Sequence, residues 1–358
     1  MTRSELPVKI AVIGAGLIGK RHVRHVFNEP RCRLVGVIEP NLKARSLAES
    51  YGAAYYNDVA PFLKKGDAEA VIIATPNNTH ASIGIQCARA GLHLLVEKPI
   101  EADLPAAGDL VTAAQEAGVQ LLVGHHRRFN PYVEATKKIL DDGGLGRITA
   151  VNALWTTLKP RGYFDMPWRR EAGGGPVMIN LIHDIDNLRY LLGDIERIYA
   201  ESSNAVRGYP VEDTTVISIR FQSGVLGTVV ASDTVVSPYN FEAATGENPL
   251  VYAAGKDCYR IFGTEATLNF PEMTIWRYIG EGEHGWSEAI AQKHTTVDVT
   301  IPLERQLQHF CDVIRHGAVP RCPGQEGIKT LEATLAVREA AGRGEPVMLR
   351  GGNLEVTK

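Results

Sequence analysis

The sequence predicts an α/β protein of two domains, a parallel sheet covered by helices on both faces and then an α+β domain of mainly antiparallel strands. Three observations predict it. The chain has 358 residues, more than one hydrophobic core usually organises, since cores rarely grow past about 250–300 residues. Residues 8–126 alternate short apolar runs with helix-period patterns, and those runs are apolar on both faces. Beyond residue 147 the strand patterns lengthen and alternate apolar with polar, as in a sheet buried on one face. The expected division is 1–126 and 127–358.

In order, VKIAVIGAG (8–16) predicts a buried strand, 16–28 a helix, CRLVGVIEP (32–40) a second strand and 42–52 a helix. A short strand at 53–58 and a short helix at 59–65 follow. Next come strand AEAVIIATP (68–76), helix 80–91, strand HLLVEKP (93–99), helix 105–118 and strand 119–126. A helix ending in a glycine-rich turn covers 129–146. The second domain is expected to hold strands at 148–158, 195–206, 213–221, 224–236 and 259–270, with one helix over 176–193. Two further helices occupy the tail, from PLERQLQHF and from GQEGIKTLEATL, and 237–257 and 280–296 are expected to be loops.

Composition narrows the function. A formal net charge of −3 leaves no footprint for a polyanion, so no nucleic acid partner is expected. The five cysteines are scattered without metal-ligand spacing, which predicts reduced thiols, a cytoplasmic setting and no metal. Residues 1–8 contain no apolar stretch of signal-peptide length, and no window approaches 18 apolar residues, so no membrane association is expected.

The first motif is the turn after strand 8–13, whose Gly14, Gly16, Leu17, Ile18 and Gly19 are candidate cofactor contacts. Gly14 suits a tight turn, Gly16 close approach of a pyrophosphate and Gly19 close packing of helix on strand. The helix that starts there offers free N–H groups and a positive dipole end to phosphate. A glycine-rich turn alone is weak, but here a strand precedes it, a helix follows it, and Glu39 ends the second strand twenty residues past Gly19. That context predicts a Rossmann dinucleotide-binding domain. A carboxylate at 39 accepts from both ribose hydroxyls and repels a 2′-phosphate, which favours NAD; Lys43 and Arg45 nearby leave NADP open.

Two more loops fall at carboxyl ends of strands, the edge where ligands bind in such sheets. ATPNNTH (74–80) contributes Thr75, Asn77 and His80 as candidate ribose or nicotinamide contacts, although Asn and Thr also cap helices. LLVEKPI (94–100) ends an apolar strand in a carboxylate, an ammonium and a proline, an arrangement able to aim Lys98 with Glu97 positioning the lysine or the cofactor. Arg127 and Arg128 follow strand 119–123 and are plausible cofactor or substrate contacts.

With GAGLIG, ATPNNTH, VEKP and GGGPVMINLIHDIDNLRYLLG in that order, the chain resembles the Gfo/Idh/MocA family of nicotinamide-dependent oxidoreductases. The resemblance runs from the first strand to GEPVML. It implies an open, mainly antiparallel second sheet, a homodimer or homotetramer, and catalytic Lys98 and His183 beside the nicotinamide. The lysine would hydrogen-bond the reacting hydroxyl and the histidine would serve as acid/base. From residues alone, a histidine on an apolar helix is more often a core residue. The family's aspartate one turn before that histidine is replaced here by Ile179, while Asn180 stands three residues before His183 and can share its face. Asn180 is therefore expected to bind a substrate hydroxyl, and loss of the anion to lower the Lys98 pKa against aspartate-bearing relatives. Asp184 and Asp186 are alternative partners for His183.

The stretch WTTLKPRGYFDMPWRREAGGG (155–175) is dense in aromatic and cationic residues. Trp168 and Arg169 are expected to flank the nicotinamide, and Lys159, Arg161 and Tyr163 to reach substrate, against the plainer reading of a solvated basic loop. The expected function is hydride transfer between NAD(P) and a secondary alcohol of a sugar, inositol or related polyol. Alternatives are reduction of a keto-sugar or imine, and a non-catalytic dinucleotide sensor.

Overall fold

The structure is a computed structural model whose described residues are 6–171, 173–280, 282 and 284–352. Expectations touching residues 1–5, Ala172, Glu281, Glu283 and 353–358 lie outside them. The chain divides into two compact units, one of Met1–Phe129, Ile301–Leu331 and Gly352–Lys358, the other of Asn130–Thr300 and Glu332–Gly351.

The first unit contains β1 (Val8–Ile13), α1 (Leu17–Asn28), β2 (Cys32–Ile38), α2 (Ala44–Ser50), β3 (Ala54–Tyr56), α3 (Val59–Lys65), β4 (Ala70–Ile73), α4 (His80–Arg89), β5 (His93–Val96), α5 (Leu104–Glu116) and β6 (Leu121–Val123). The strands form one parallel sheet in the order β3-β2-β1-β4-β5-β6. The order reverses between β1 and β4, the switch point where such sheets open a crevice at their carboxyl edge. Strands that face helices on both sides must be apolar throughout, and β4 is buried at all four positions.

The second unit contains α6 (Pro131–Asp141), β7 (Ile148–Thr156), α7 (Ile182–Leu192), β8 (Ile195–Ser203), β9 (Thr214–Phe221), β10 (Leu226–Ser232), α8 (Phe241–Thr245), β11 (Tyr259–Gly263), β12 (Thr267–Phe270), β13 (Thr274–Tyr278) and β14 (Ile290–His294). After α9 (Pro302–His316) of the first unit and α10 (Gly324–Arg343), which continues from one unit into the other, β15 (Val347–Met348) closes the edge. The nine strands run β14-β13-β12-β11-β7-β10-β9-β8-β15, antiparallel except for β7 with β10. Alternation sorts the faces. Val151, Ala153, Trp155, Ile217, Ile219, Phe221, Ile261 and Leu268 enter the core with residues of α7 and α10, while the other face carries polar residues and scattered apolar ones.

Several expectations change. The division expected at 126/127 assigned the whole tail to the second domain, but α9 packs on α1 and β1 within the first unit. Its apolar stripe of Leu307, Phe310, Cys311 and Val313 joins the core of Val8, Ile10, Val26 and Leu34. The strand expected over 259–270 is a hairpin, β11 and β12, because Gly263 and the turn after it break the run. The 237–257 loop includes α8, capped by the Asn240 side chain accepting from Ala243 N–H at 2.9 Å. The 280–296 loop includes β14, recruited by pairing with β13 rather than by its own weak pattern. The helix expected over 176–193 opens with a π-helical turn at Val177–Leu181 before α7. Wider turns of this kind are frequent at functional sites.

Candidate active site

In the first unit the glycine turn behaves as its spacing requires. Gly14 has φ +96°, and a Cβ there would lie 2.4 Å from the Ala74 carbonyl oxygen; one on Gly19 would lie 2.0 Å from the Gly14 carbonyl oxygen. Nothing lies within 4 Å of a Cβ on Gly16, which leaves room for a ligand against the backbone. Leu17, 80% exposed, and Ile18 begin α1 at that opening. Glu39 reaches into the turn. Its Oε2 accepts from Ala15 N–H at 2.8 Å and its Oε1 from Asn41 N–H at 3.1 Å. A cavity of about 600 Å³ lies alongside, lined by Ala15, Gly16, Lys20, Glu39, Asn41 and Lys43 among others. This combination of an open glycine backbone, a helix N-terminus and a carboxylate at the end of β2 fits the pyrophosphate and adenosine ribose of NAD. Lys43 lines the cavity, whereas the Arg45 guanidinium lies 5.3 Å from the Tyr55 ring centroid.

Lys98 follows β5 at the same carboxyl edge, half-buried, and its bond to Pro99 is cis. Glu97 points inward, fully employed. Its Oε1 lies 2.7 Å from His22 Nε2, and its Oε2 accepts from the Lys98 N–H at 3.2 Å. Burial alone would raise the Glu97 pKa; the hydrogen bond and charge of His22, with His126 and Lys98, outweigh it and hold it at about 2. Burial, reinforced by Arg127 and Lys98 and opposed by Glu97, pushes His126 down to about 3. Glu97 is thus a support for the lysine turn rather than a cofactor contact.

His80 also departs from expectation. It is fully buried, with Nδ1 2.9 Å from Pro99 O and Nε2 2.9 Å from Thr75 O, so both nitrogens are engaged inside the unit. Thr75 lies against the Thr79 hydroxyl at 2.8 Å, and Asn77 opens an exposed 3₁₀ turn. Arg127 and Arg128 are buried rather than presented at a rim; Arg128 Nη2 meets Glu326 at 3.1 Å.

In the second unit the turn before α7 explains its glycines. Gly175 has φ +79°, and a Cβ would lie 2.5 Å from Glu212 Oε1. That same oxygen accepts from Val177 N–H at 3.0 Å, tying down one of the N–H groups that a helix start leaves open. Burial raises the Glu212 pKa against this bond. His183 is buried on α7, as are Asp184 and Asp186, and the Tyr259 hydroxyl donates to Asp184 Oδ1.

Lys159 is the centre of a network that sequence reading found only in part. Its Nζ donates to Asn180 Oδ1 at 2.8 Å and meets Asp233 Oδ2 at 3.3 Å, with side-chain exposures of 9% and 2% for the ion pair. Burial lowers the Lys159 pKa, opposed by Asp233. Tyr163 covers the ammonium at 4.6 Å and itself stacks under Arg169 at 3.9 Å. Arg169 Nη1 also donates to Tyr163 O at 2.7 Å, and Trp168 is exposed. Asp233 serves a second cation, accepting from Arg207 Nε at 3.1 Å. Asp233, Arg207, Glu212 and His22 were not anticipated. The one sequence hint was a histidine on the buried face of α1 with Val23 and Val26, three residues after Gly19.

Among the described residues no helix is long and apolar enough to cross a membrane, and no group of three His, Cys, Asp or Glu side chains is placed to hold a metal.

Comparison with known proteins agrees with this architecture. Residues 8–125 match the family described as oxidoreductase family, NAD-binding Rossmann fold, and residues 133–269 match the GFO/IDH/MocA C-terminal domain. The chain is 30% identical over 292 residues to 1,5-anhydro-D-fructose reductase of Ensifer adhaerens, covering 80% of this chain and 81% of that protein. It is 28% identical to scyllo-inositol 2-dehydrogenase (NAD(+)) of Bacillus subtilis (strain 168), covering 96% and 97%. In fold it is similar to the WlbA dehydrogenase of Bordetella pertussis, solved with NADH and UDP-GlcNAcA, with TM-score 0.76, 24% identity and coverage of 96% and 99%. The two matched domains, the relative that shares four-fifths of the chain, and a glycine turn shaped for NAD lead to one conclusion: the chain belongs to the Gfo/Idh/MocA family and is an NAD-dependent oxidoreductase.

Proposed function

We propose that the protein oxidises a secondary alcohol of a sugar, inositol or related polyol, with Lys98 and His183 as its catalytic residues. The observation that carries the reading is the Lys98 turn, which stands at the same carboxyl edge as the glycine turn, next to the 74–80 loop, and is supported from behind by Glu97. Relatives named for inositol and anhydrofructose support the substrate class. NAD bound at the glycine turn and Glu39 would supply the hydride acceptor. The Lys98 ammonium hydrogen-bonds the reacting hydroxyl and stabilises the negative charge that develops on its oxygen. His183, in its neutral form, takes the hydroxyl proton.

Asn180 holds a neighbouring hydroxyl. With its Oδ1 committed to Lys159 at 2.8 Å, its amide nitrogen is the end left to donate. Tyr163 and Arg169 line the approach as contacts for a hydroxyl-rich ligand.

The reverse reaction, reduction of a keto-sugar, is the second reading, favoured by the similarity to an anhydrofructose reductase. A homo-oligomer built on the open face of the nine-stranded sheet accompanies both, since Val216, Leu226, Trp276 and Ile290 are exposed there, from 38% to 52%.

The test is an absorbance assay at the reduced-cofactor wavelength across inositols, aldoses, sugar acids and keto-sugars, run in both directions. Turnover of at least one member with NAD is expected. No turnover anywhere in the panel, by protein that binds NADH, would refute the substrate class.

A further inference from the structure

Glu97, at the tip of β5, has no exposed role: its carboxylate is buried, one oxygen facing α1 and the other the backbone of the residue that follows. The group on α1 is His22, one turn into the helix whose N-terminus opens at the glycine turn. The pair is buried on both sides, with side-chain exposures of 3% and 9%. A carboxylate accepts and cannot donate, so His22 Nε2–H and Lys98 N–H are both donors to it, and the three groups interlock. Gly124 packs directly on this carboxylate, since a Cβ there would approach Glu97 Oε2 to 3.1 Å. His80 grips the same turn from the other flank through Pro99 O and Thr75 O. The backbone at 97–99 is therefore clasped by one histidine from the nucleotide helix and another at the start of α4, next to the 74–80 loop.

We propose that His22 is a positioning residue for Lys98: through Glu97 it couples the helix that receives the NAD pyrophosphate to the turn that carries the catalytic ammonium. This rests on the proposed role of Lys98. A substitution that keeps the hydrogen bond should preserve the coupling, and one that removes it should leave a buried carboxylate facing an apolar group. A buried carboxylate without its partner takes up a proton. The charged and titratable groups around it are His22 on α1, His126 after β6 and Lys98, with Arg21 and Arg127 acting on His126.

The experiment compares His22→Phe, His22→Gln and wild type by two readouts. The first is kinetic. In His22→Phe, kcat is expected to fall roughly 10- to 100-fold, the cost of a misplaced catalytic group, with KM for NAD changed far less. His22→Gln, whose amide can still donate to Glu97, recovers most of that loss. The second readout needs no alcohol substrate: the rate at which an amine-acylating reagent labels Lys98, followed by peptide mass spectrometry with Lys20 and Lys43 as internal references. Loss of the Glu97 anion lowers the Lys98 pKa and loosens the turn, so His22→Phe should label Lys98 several-fold faster while the references hold.

Equal Lys98 labelling in a folded His22→Phe overturns the coupling. So does a kinetic defect confined to KM for NAD. If His22→Phe does not fold, equal labelling in Glu97→Gln and wild type overturns it instead. Because labelling is independent of turnover, a wrong substrate class leaves this result standing, and the two failures are distinguishable.

Discussion

Lys98 in the first unit and Lys159 in the second are both partly or largely buried lysines, yet the two units hold them by opposite means. Lys98 is placed by secondary structure. It rides on the end of a parallel strand, and the nearby carboxylate, Glu97, is turned away toward His22 and the backbone. Lys159 is placed by side chains. It lies on the segment after β7 and touches Asp233, Asn180 and the Tyr163 ring directly. The difference teaches how position and charge are separated. An anion that bonds the backbone beside a lysine steadies the turn the lysine sits on, whereas Asp233, 3.3 Å from Lys159, pairs with the ammonium itself and makes it a holder of Asn180.

The contrast breaks most sharply at the proposed catalytic residues. If the proposed roles hold, Lys98→Met and His183→Gln should each lower kcat by roughly three orders of magnitude, because both would act on charge in the transition state. NADH affinity, measured by cofactor fluorescence, should change little. A Lys98→Met protein with more than a tenth of wild-type kcat would place the lysine outside the chemistry.

A smaller effect is expected at the other lysine. Lys159→Met removes the donor to Asn180 Oδ1 while leaving Asp233 with Arg207. With the amide released, kcat/KM for the alcohol should fall roughly tenfold, mainly through KM, at unchanged NADH binding. Steady-state kinetics at saturating NAD checks it, and an unchanged KM would reduce Lys159 to a structural ion pair.

The smallest effect is on stability. Glu97 titrates at about 2 against an ordinary 4.5, and His126 at about 3 against 6.5. Both bind protons less readily in the fold than in the unfolded chain, so both contribute stability that is complete above about pH 6.5 and lost on acidification. The His126 part goes between about 6.5 and 3, the Glu97 part between about 4.5 and 2. Thermal melts should fall by on the order of 5 °C between pH 7 and 5. Glu97→Gln should flatten only the lower window; a mutant melt parallel to wild type there would separate the buried pair from acid stability.

Much of the first unit was legible because its signals are local. Gly14 and Gly19 must lack a Cβ for backbone reasons that the GxGxxG spacing already states, and a strand ending in Glu97-Lys98-Pro99 is unusual on its face. His80 shows the limit. Its sequence neighbourhood suggests a ligand contact, but the fold brings Pro99 O and Thr75 O to its two nitrogens and closes it in. The β11–β12 hairpin and β14 were missed for a related reason: a strand's existence can depend on a partner rather than on its own pattern.

By itself the sequence determined the two fold classes and the NAD-binding turn, and it put forward Lys98, Asn180 and His183 as candidates, because periodicity, glycine spacing and motif order are properties of the chain. Only the tertiary structure decided which partners those residues have: His22 for Glu97, Lys159 for Asn180, Glu212 for the start of the π turn. Hydrogen bonds between residues 21 to 75 positions apart depend on how strands and helices stack, and no local pattern carries that information.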